Sequence, residues 1–267
     1  MSVTSGTSIA VRAALSVAVA LATAACAASA TAPAPAALRA TTTATVAGPA
    51  GFDPSAYAAL PPRPEPGAAT VTCTYPAAGP AARTATMPGS TSVPATGTVE
   101  LTLTTSAGPV PLVLERAAAP CAVHSFAGLA RQGFFDGTQC HHVTDEPGMQ
   151  MLRCGDPSGS GVGGPGYTFA DEYPVTVVRG ENGYLPAPVV YPRGTVAMAG
   201  AGHRDSNGSQ FLLVFGDSLL HPQYSVFGTV AEPGLPVLEE VAAAGNDGSS
   251  PLGGGRPLAP LVITDVG

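Results

Sequence analysis

The chain has 267 residues, eleven arginines, no lysine and a formal net charge of −7. This balance offers no basic surface to neutralise phosphates, which excludes nucleic acid as a partner. The length allows one sizeable domain and an appendage.

Taken in chain order, Arg12 precedes an uncharged run of small apolar residues, 13–25, that ends at Cys26. The run is too short to cross a bilayer as a mature helix and fits the apolar core of a secretion signal. Residues 1–25 are therefore expected to be a signal peptide, and the protein to be exported. Cleavage before Cys26 would make that residue a lipid anchor at the membrane surface; Ala22-Thr23-Ala24 and Ala28-Ser29-Ala30 offer ordinary cleavage sites, with release as the outcome. Both outcomes stand. Residues 26–96 are rich in Ala, Pro and Thr and poor in bulky side chains, so they are expected to form a disordered, semi-extended tether. Phe52, Tyr57 and Thr72-Cys73-Thr74-Tyr75 are the exceptions, and a Cys73 disulfide would dock them. Without Cys26, the cysteines number four: Cys73, Cys121, Cys140 and Cys154. An even number in an exported chain points to disulfides, with three pairings open. None forms a Cys-x-x-Cys pair, so no zinc is expected.

A different pattern begins at residue 97. Val99, Leu101 and Leu103 alternate with polar positions, Ala107-Gly108 turns the chain, and Val110, Leu112 and Leu114 alternate again, which predicts an amphipathic hairpin. Pro120 opens a helix with Val123, Phe126, Leu129 and Ala130 on one face, and Gly133 closes it. Strands follow around 139–144, 149–155, 195–199, 210–215, 225–230 and 260–265, with a second helix over 235–244. Eight strands against two helices indicate a mainly β fold.

Four motifs recur in one order: Phe134-Phe135-Asp136-Gly137-Thr138 before Cys140-His141-His142; Cys154-Gly155-Asp156 with Gly163-Gly164-Pro165-Gly166-Tyr167; Ser206-Asn207-Gly208-Ser209-Gln210-Phe211; and Val226-Phe227-Gly228. Together they resemble the cyclophilins, peptidyl-prolyl cis/trans isomerases. The resemblance implies a closed eight-stranded antiparallel barrel capped by two helices, spanning 97–267, with no cofactor or metal. Its partners would be proline-containing polypeptides of the envelope or secreted pool, met by a monomer. In that family an Arg donates to the prolyl nitrogen, a Gln on the neighbouring strand supports it, and an apolar pocket takes the proline ring.

Carried over, the Arg position is His142 and the Gln position is Arg153. The pocket falls on Met151, Leu212 and Leu220, with Leu219 in place of a Trp and either Met149 or Gln150 in place of a Phe. Ala199 and Ala201 supply a backbone clamp, Gln210 is retained, and Tyr224 takes the rim position of a His. With the principal donor changed, two readings stand: an active isomerase, and a proline-peptide binding or adhesion module on the same fold. Cys140 and Cys154 belong to successive strands of such a barrel, which pairs them and leaves Cys73 to meet Cys121. His141 and His142 are adjacent on a predicted strand and face opposite ways, so they cannot chelate one ion together.

Overall fold

The computed structural model describes residues 51–175 and 186–267. The expected signal peptide, 1–25, and Cys26 lie outside the described residues. Two short strands come first, β1 (Thr70–Val71) and β2 (Val93–Pro94), paired with each other. The hairpin follows as β3 (Thr98–Thr105) and β4 (Gly108–Glu115), then helix α1 (Pro120–Ala130). Beyond it run β5 (Thr138–Gln139), β6 (His142–Glu146), β7 (Met149–Cys154), β8 (Val189–Tyr191), β9 (Thr195–Met198), β10 (Phe211–Gly216), β11 (Ser218–Leu220) and β12 (Val226–Val230). Helix α2 (Leu235–Ala243) and β13 (Val262–Val266) complete the chain.

Nine strands form one curled antiparallel sheet in the order β5-β13-β3-β4-β12-β9-β10-β7-β6, rather than the expected eight. The stretch anticipated as one strand over 139–144 breaks at Cys140 and His141, and its halves, β5 and β6, become the sheet's two outer strands. No ladder joins β5 to β6 among the described residues, so the expected full closure is not seen. Cys140 N–H instead donates to Leu261 O, and Val143 bridges Gly255, which brings the two margins together through the chain's last loop. β8 and β11 pair apart from the main sheet.

Alternation along each strand sorts side chains onto two faces. The inner face gathers Leu103, Val110, Leu112, Leu114, Leu152, Val196, Met198, Phe211, Leu213 and Phe227 into the main core. Helix α1 lies against it: Phe126 meets Phe135, Phe211 and Phe227 with ring centroids 4.9, 5.2 and 5.3 Å away. Pro120 starts this helix, and Gly133, at φ +65°, sits in the turn beyond it. The outer face carries a second cluster that includes Tyr173, Tyr191, Ala197, Ala199, Leu212, Leu220 and Val226.

Residues 51–96 do not extend away as a tether. Phe52 covers Gly148 and stacks on Tyr57, Leu60 packs on the outer cluster, and Ala58 O accepts from Val190 N–H. Pro61 O accepts from the Tyr173 hydroxyl, and Arg63 pairs with Glu115. Further along, Cys73 and Tyr75 are buried in the main core. The segment has little bulk of its own, but its backbone bonds, a disulfide and these few large side chains suffice to hold it. Among the described residues no helix is long and apolar enough to cross a membrane.

Candidate active site

A single row of register partners crosses the outer face: His142 opposite Arg153, Arg153 opposite Leu212, Leu212 opposite Ala197, Ala197 opposite Val226. The alternation that sends Leu152 and Cys154 inward sends Met151 and Arg153 outward. Arg153 therefore stands beside Leu212, whose buried outer-face cluster includes Leu220 and Ala199, with Met151 and Tyr224 packed on it.

A cleft of about 1160 Å³ opens beside this row, lined by Arg153, Gln210, Ala199, Ala201, Tyr224 and the glycine loop 161–166 among others. Arg153 Nε is buried and has no hydrogen-bond partner among the described residues. Burial weakens the hold of this guanidinium on its proton, while Tyr224 and Asp156 act the other way. His142 is turned to a different task. Its Nε2 lies 3.1 Å from Gly253 O, and burial lowers its pKa, with the Gly253 carbonyl opposing. His142 does not line the cleft.

Two groups fix the glycine loop. Gln210 Nε2 donates to Gly161 O (3.0 Å) and Gly163 O (2.8 Å). Asp156 accepts from the backbone N–H groups of Ser158, Gly161 and Gly163 and from the hydroxyls of Ser158 and Ser160. Burial alone would raise this carboxyl, but these donors outweigh it and hold the pKa at about 2. A Cβ at Gly163 would overlap the Asp156 carboxylate, so only glycine fits there.

The other residues anticipated from the sequence divide. Ala199 N–H donates to Gln210 O, and Ala201 N–H to the Ser206 hydroxyl, so both backbones are anchored at the cleft wall. Tyr224 is braced by Tyr191, whose hydroxyl donates to Tyr224 O at 3.2 Å. Met149 shares the register face of Met151 and Arg153, whereas Gln150 lies on the other face and donates to Asp145 Oδ1. Leu219 pairs with Val190 on the separate ribbon and is not part of the apolar cluster. Of the two alternatives for the pocket's Phe position, strand parity therefore puts Met149, and not Gln150, on the face of Met151 and Arg153. Cys140 is joined to Cys154 and Cys73 to Cys121.

Sequence reasoning gave no role to Glu172, considered His141 only as half of a metal pair, and read 76–82 as part of the tether. Neither His141 ring nitrogen has a partner among the described residues, and burial, with the nearby Arg153 charge, takes its pKa down to about 4. Glu172 caps α1 by accepting from Cys121 N–H (2.9 Å) and Ala122 N–H (2.8 Å). An acid 50 residues beyond Ala122, whose N–H it accepts, leaves no local signature.

Comparison with known proteins agrees with this architecture. The family model for cyclophilin type peptidyl-prolyl cis-trans isomerases matches residues 100–267. A Mycobacterium tuberculosis protein named "Probable peptidyl-prolyl cis-trans isomerase B" is 47% identical over 168 residues, covering 63% of this chain and 54% of that protein. The chain thus spans about half the length of such relatives. "Peptidyl-prolyl cis-trans isomerase A" of the same organism is 33% identical over 187 residues, covering 63% of this chain and 91% of the relative. The crystal structure of a Cryptosporidium parvum cyclophilin type isomerase superposes with a TM-score of 0.51 at 27% identity, covering 64% of this chain and 96% of that one. A second structure of that protein, in the presence of the dipeptide Ala-Pro, gives 0.50 at 27% identity, covering 63% and 97%. By fold, motif order and a family match over residues 100–267, the chain belongs to the cyclophilin family.

Proposed function

We propose that this protein is an exported peptidyl-prolyl cis/trans isomerase in which Arg153, not the residue at position 142, is the principal donor. Rotation about an X-Pro bond meets a barrier of about 18–20 kcal/mol because amide resonance must be broken. No nucleophile or metal is required. Catalysis needs a site that binds the twisted amide better than either planar form, with an apolar seat for the ring and a donor aimed at the nitrogen as it pyramidalises or at the adjoining carbonyl.

The observation that carries this reading is the exchange across one register pair: His142 bonds to Gly253 O, while its partner Arg153 borders the cleft with Nε unengaged. A guanidinium remains charged and presents several donors, whereas a neutral imidazole presents one. The apolar cluster of Leu212, Leu220 and Met151 beside Arg153 supports a contact with the ring. Export, by a lipid on Cys26 or by release, belongs to the same proposal; the two disulfides support it, since such bonds persist in oxidising compartments.

A protease-coupled isomerisation assay tests the reading. Arg153→Ala should lower turnover by on the order of 10²–10³, the usual cost of removing a preorganised donor, and His142→Arg should preserve or raise it. Wild-type turnover in a correctly folded Arg153→Ala protein would refute the donor assignment. A wild-type protein that binds Ala-Pro peptides without turnover would favour the binding-module reading.

A further inference from the structure

We propose that the strap Pro76–Ala82 is a built-in wall of the cleft that contacts the polypeptide flanking the target proline. The inference rests on the peptide-binding reading above but concerns a part of the chain that lies outside the family match, which begins at residue 100.

The strap runs antiparallel to the glycine loop. Thr168 N–H donates to Pro76 O (3.0 Å), Ala78 N–H to Gly166 O (2.9 Å) and Ala82 N–H to Gly164 O (2.8 Å), and Ala77 bridges Tyr167. The contact is close enough to demand small residues on both sides. A Cβ on Gly166 would come within 3.1 Å of the Ala81 Cβ, and one on Gly163 within 2.9 Å of the Ala82 Cβ. The Ala, Gly and Pro composition that made this segment look like a free tether is the composition such close backbone pairing requires.

Both ends are fixed. On one side the Cys73–Cys121 disulfide ties the strap to α1, with Tyr75 buried beneath it, its hydroxyl donating to Cys121 O and its ring edge-on to Tyr167 and Phe169. On the other, Arg83 Nη1 donates to the carbonyls of Gly133 (3.2 Å), Phe134 (2.8 Å) and Asp136 (2.7 Å). A segment with so little core of its own, yet fixed at both ends, is held in one position relative to the loop.

Between those anchors, Ala78 and Pro80 line the same cleft as Arg153, Gln210 and Tyr224. At about 1160 Å³ the cleft exceeds the ~300–1000 Å³ typical of small-molecule sites. It has room for residues beside an Ala-Pro unit. The strap forms part of the cleft lining, so a polypeptide that enters the cleft beside Arg153 and Gln210 also meets Ala78 and Pro80. These side chains are apolar and uncharged, suited to van der Waals contact with a flanking apolar residue rather than to an ion pair.

The test uses the full chain and compares wild type with Ala78→Trp, in which the Ala78–Gly166 backbone bond is kept and the wall is thickened. Calorimetry gives dissociation constants for a blocked Ala-Pro peptide and for the same peptide extended by several residues on its amino side or its carboxyl side. In Ala78→Trp the preference for one of the extended peptides over the unextended one should change by roughly tenfold or more. An unchanged preference for both extended series overturns the proposal, as does a loss that is equal for the short and long peptides. If circular dichroism shows Ala78→Trp to be misfolded, Ala78→Leu takes its place under the same criteria. Turnover measured in parallel separates the two claims: a wild-type protein that binds but does not isomerise defeats the isomerase reading and leaves the strap result to stand or fall on the affinities.

Discussion

His141 stands next to the row of His142, Arg153 and Leu212 without belonging to it, and its buried imidazole responds to low pH. Burial and the Arg153 charge depress its pKa from the ordinary 6.5 to about 4. Between those values the unfolded chain binds a proton that the folded one refuses, so stability falls as pH drops through this window and is unaffected above it. Replacing His141 with Gln should flatten the loss of thermal stability between pH 6.5 and 4.5 by about 1–3 kcal/mol, read from melting curves at fixed ionic strength. Identical pH slopes for the two proteins would contradict this. At the same scale, the motifs fixed the register of Met151, Leu212, Leu220, Gln210 and Tyr224 in the sequence, and the structure puts Gln210 and Tyr224 at the cleft and Met151, Leu212 and Leu220 in the outer-face cluster. His142 and Arg153 were legible as a pair of unusual residues at positions on neighbouring strands, and the register places them directly opposite each other. The choice between Met149 and Gln150 stayed open in the sequence because one residue of loop length reverses the face on which a strand residue lies; the register puts Met149 on the face of Arg153.

Helix α1 shows what an element needs beyond its own sequence. Ala119 at its N-cap provides no side-chain hydrogen bond, and Glu172 supplies the missing acceptor from a distant loop. Glu172→Ala should therefore cost about 1–2 kcal/mol, the usual penalty for losing a cap, measured by urea denaturation, and Glu172→Gln should cost less because an amide oxygen still accepts. Burial raises the Glu172 carboxyl from 4.5 to about 7, its two backbone donors opposing. Here the folded form holds its proton longer than the unfolded one, so its contribution is full below about pH 4.5 and is lost as pH rises through 7. This slope runs opposite to that of His141, and Glu172→Gln should remove it while His141→Gln leaves it in place. The hairpin and both helices could be read from periodicity and from their Pro and Gly boundaries. Three-residue β8 and β11 could not, since such short runs carry no measurable period, and the break at Cys140–His141 interrupts an otherwise continuous strand pattern.

Over the whole molecule, the main revision concerns residues 51–96. Composition reports how much apolar surface a segment can bury, and by that measure this segment should stay free. It does not report backbone pairing or covalent closure, which hold the strap in place. The Cys73–Cys121 bond closes a loop with a sequence separation of 48, for which chain entropy gives at most about 4 kcal/mol. Replacing both cysteines with serine should lower stability by up to that amount. It should also speed tryptic cleavage after Arg83, whose side chain is otherwise occupied by three carbonyls. Cleavage at an unchanged rate would mean that the strap is held without the bond.

The strap also separates two boundaries that usually coincide. Homology begins at residue 100, whereas packing begins at least as early as Phe52. A fragment trimmed to the homologous portion would carry Cys121 as an unpaired thiol and bare the aromatic surface of Tyr167 and Phe169 on which Tyr75 rests. Exchange of the homologous portion between this protein and a relative would therefore produce sticky, oxidation-prone hybrids unless the cut is moved upstream of Phe52, so that the strap travels with the fold it completes.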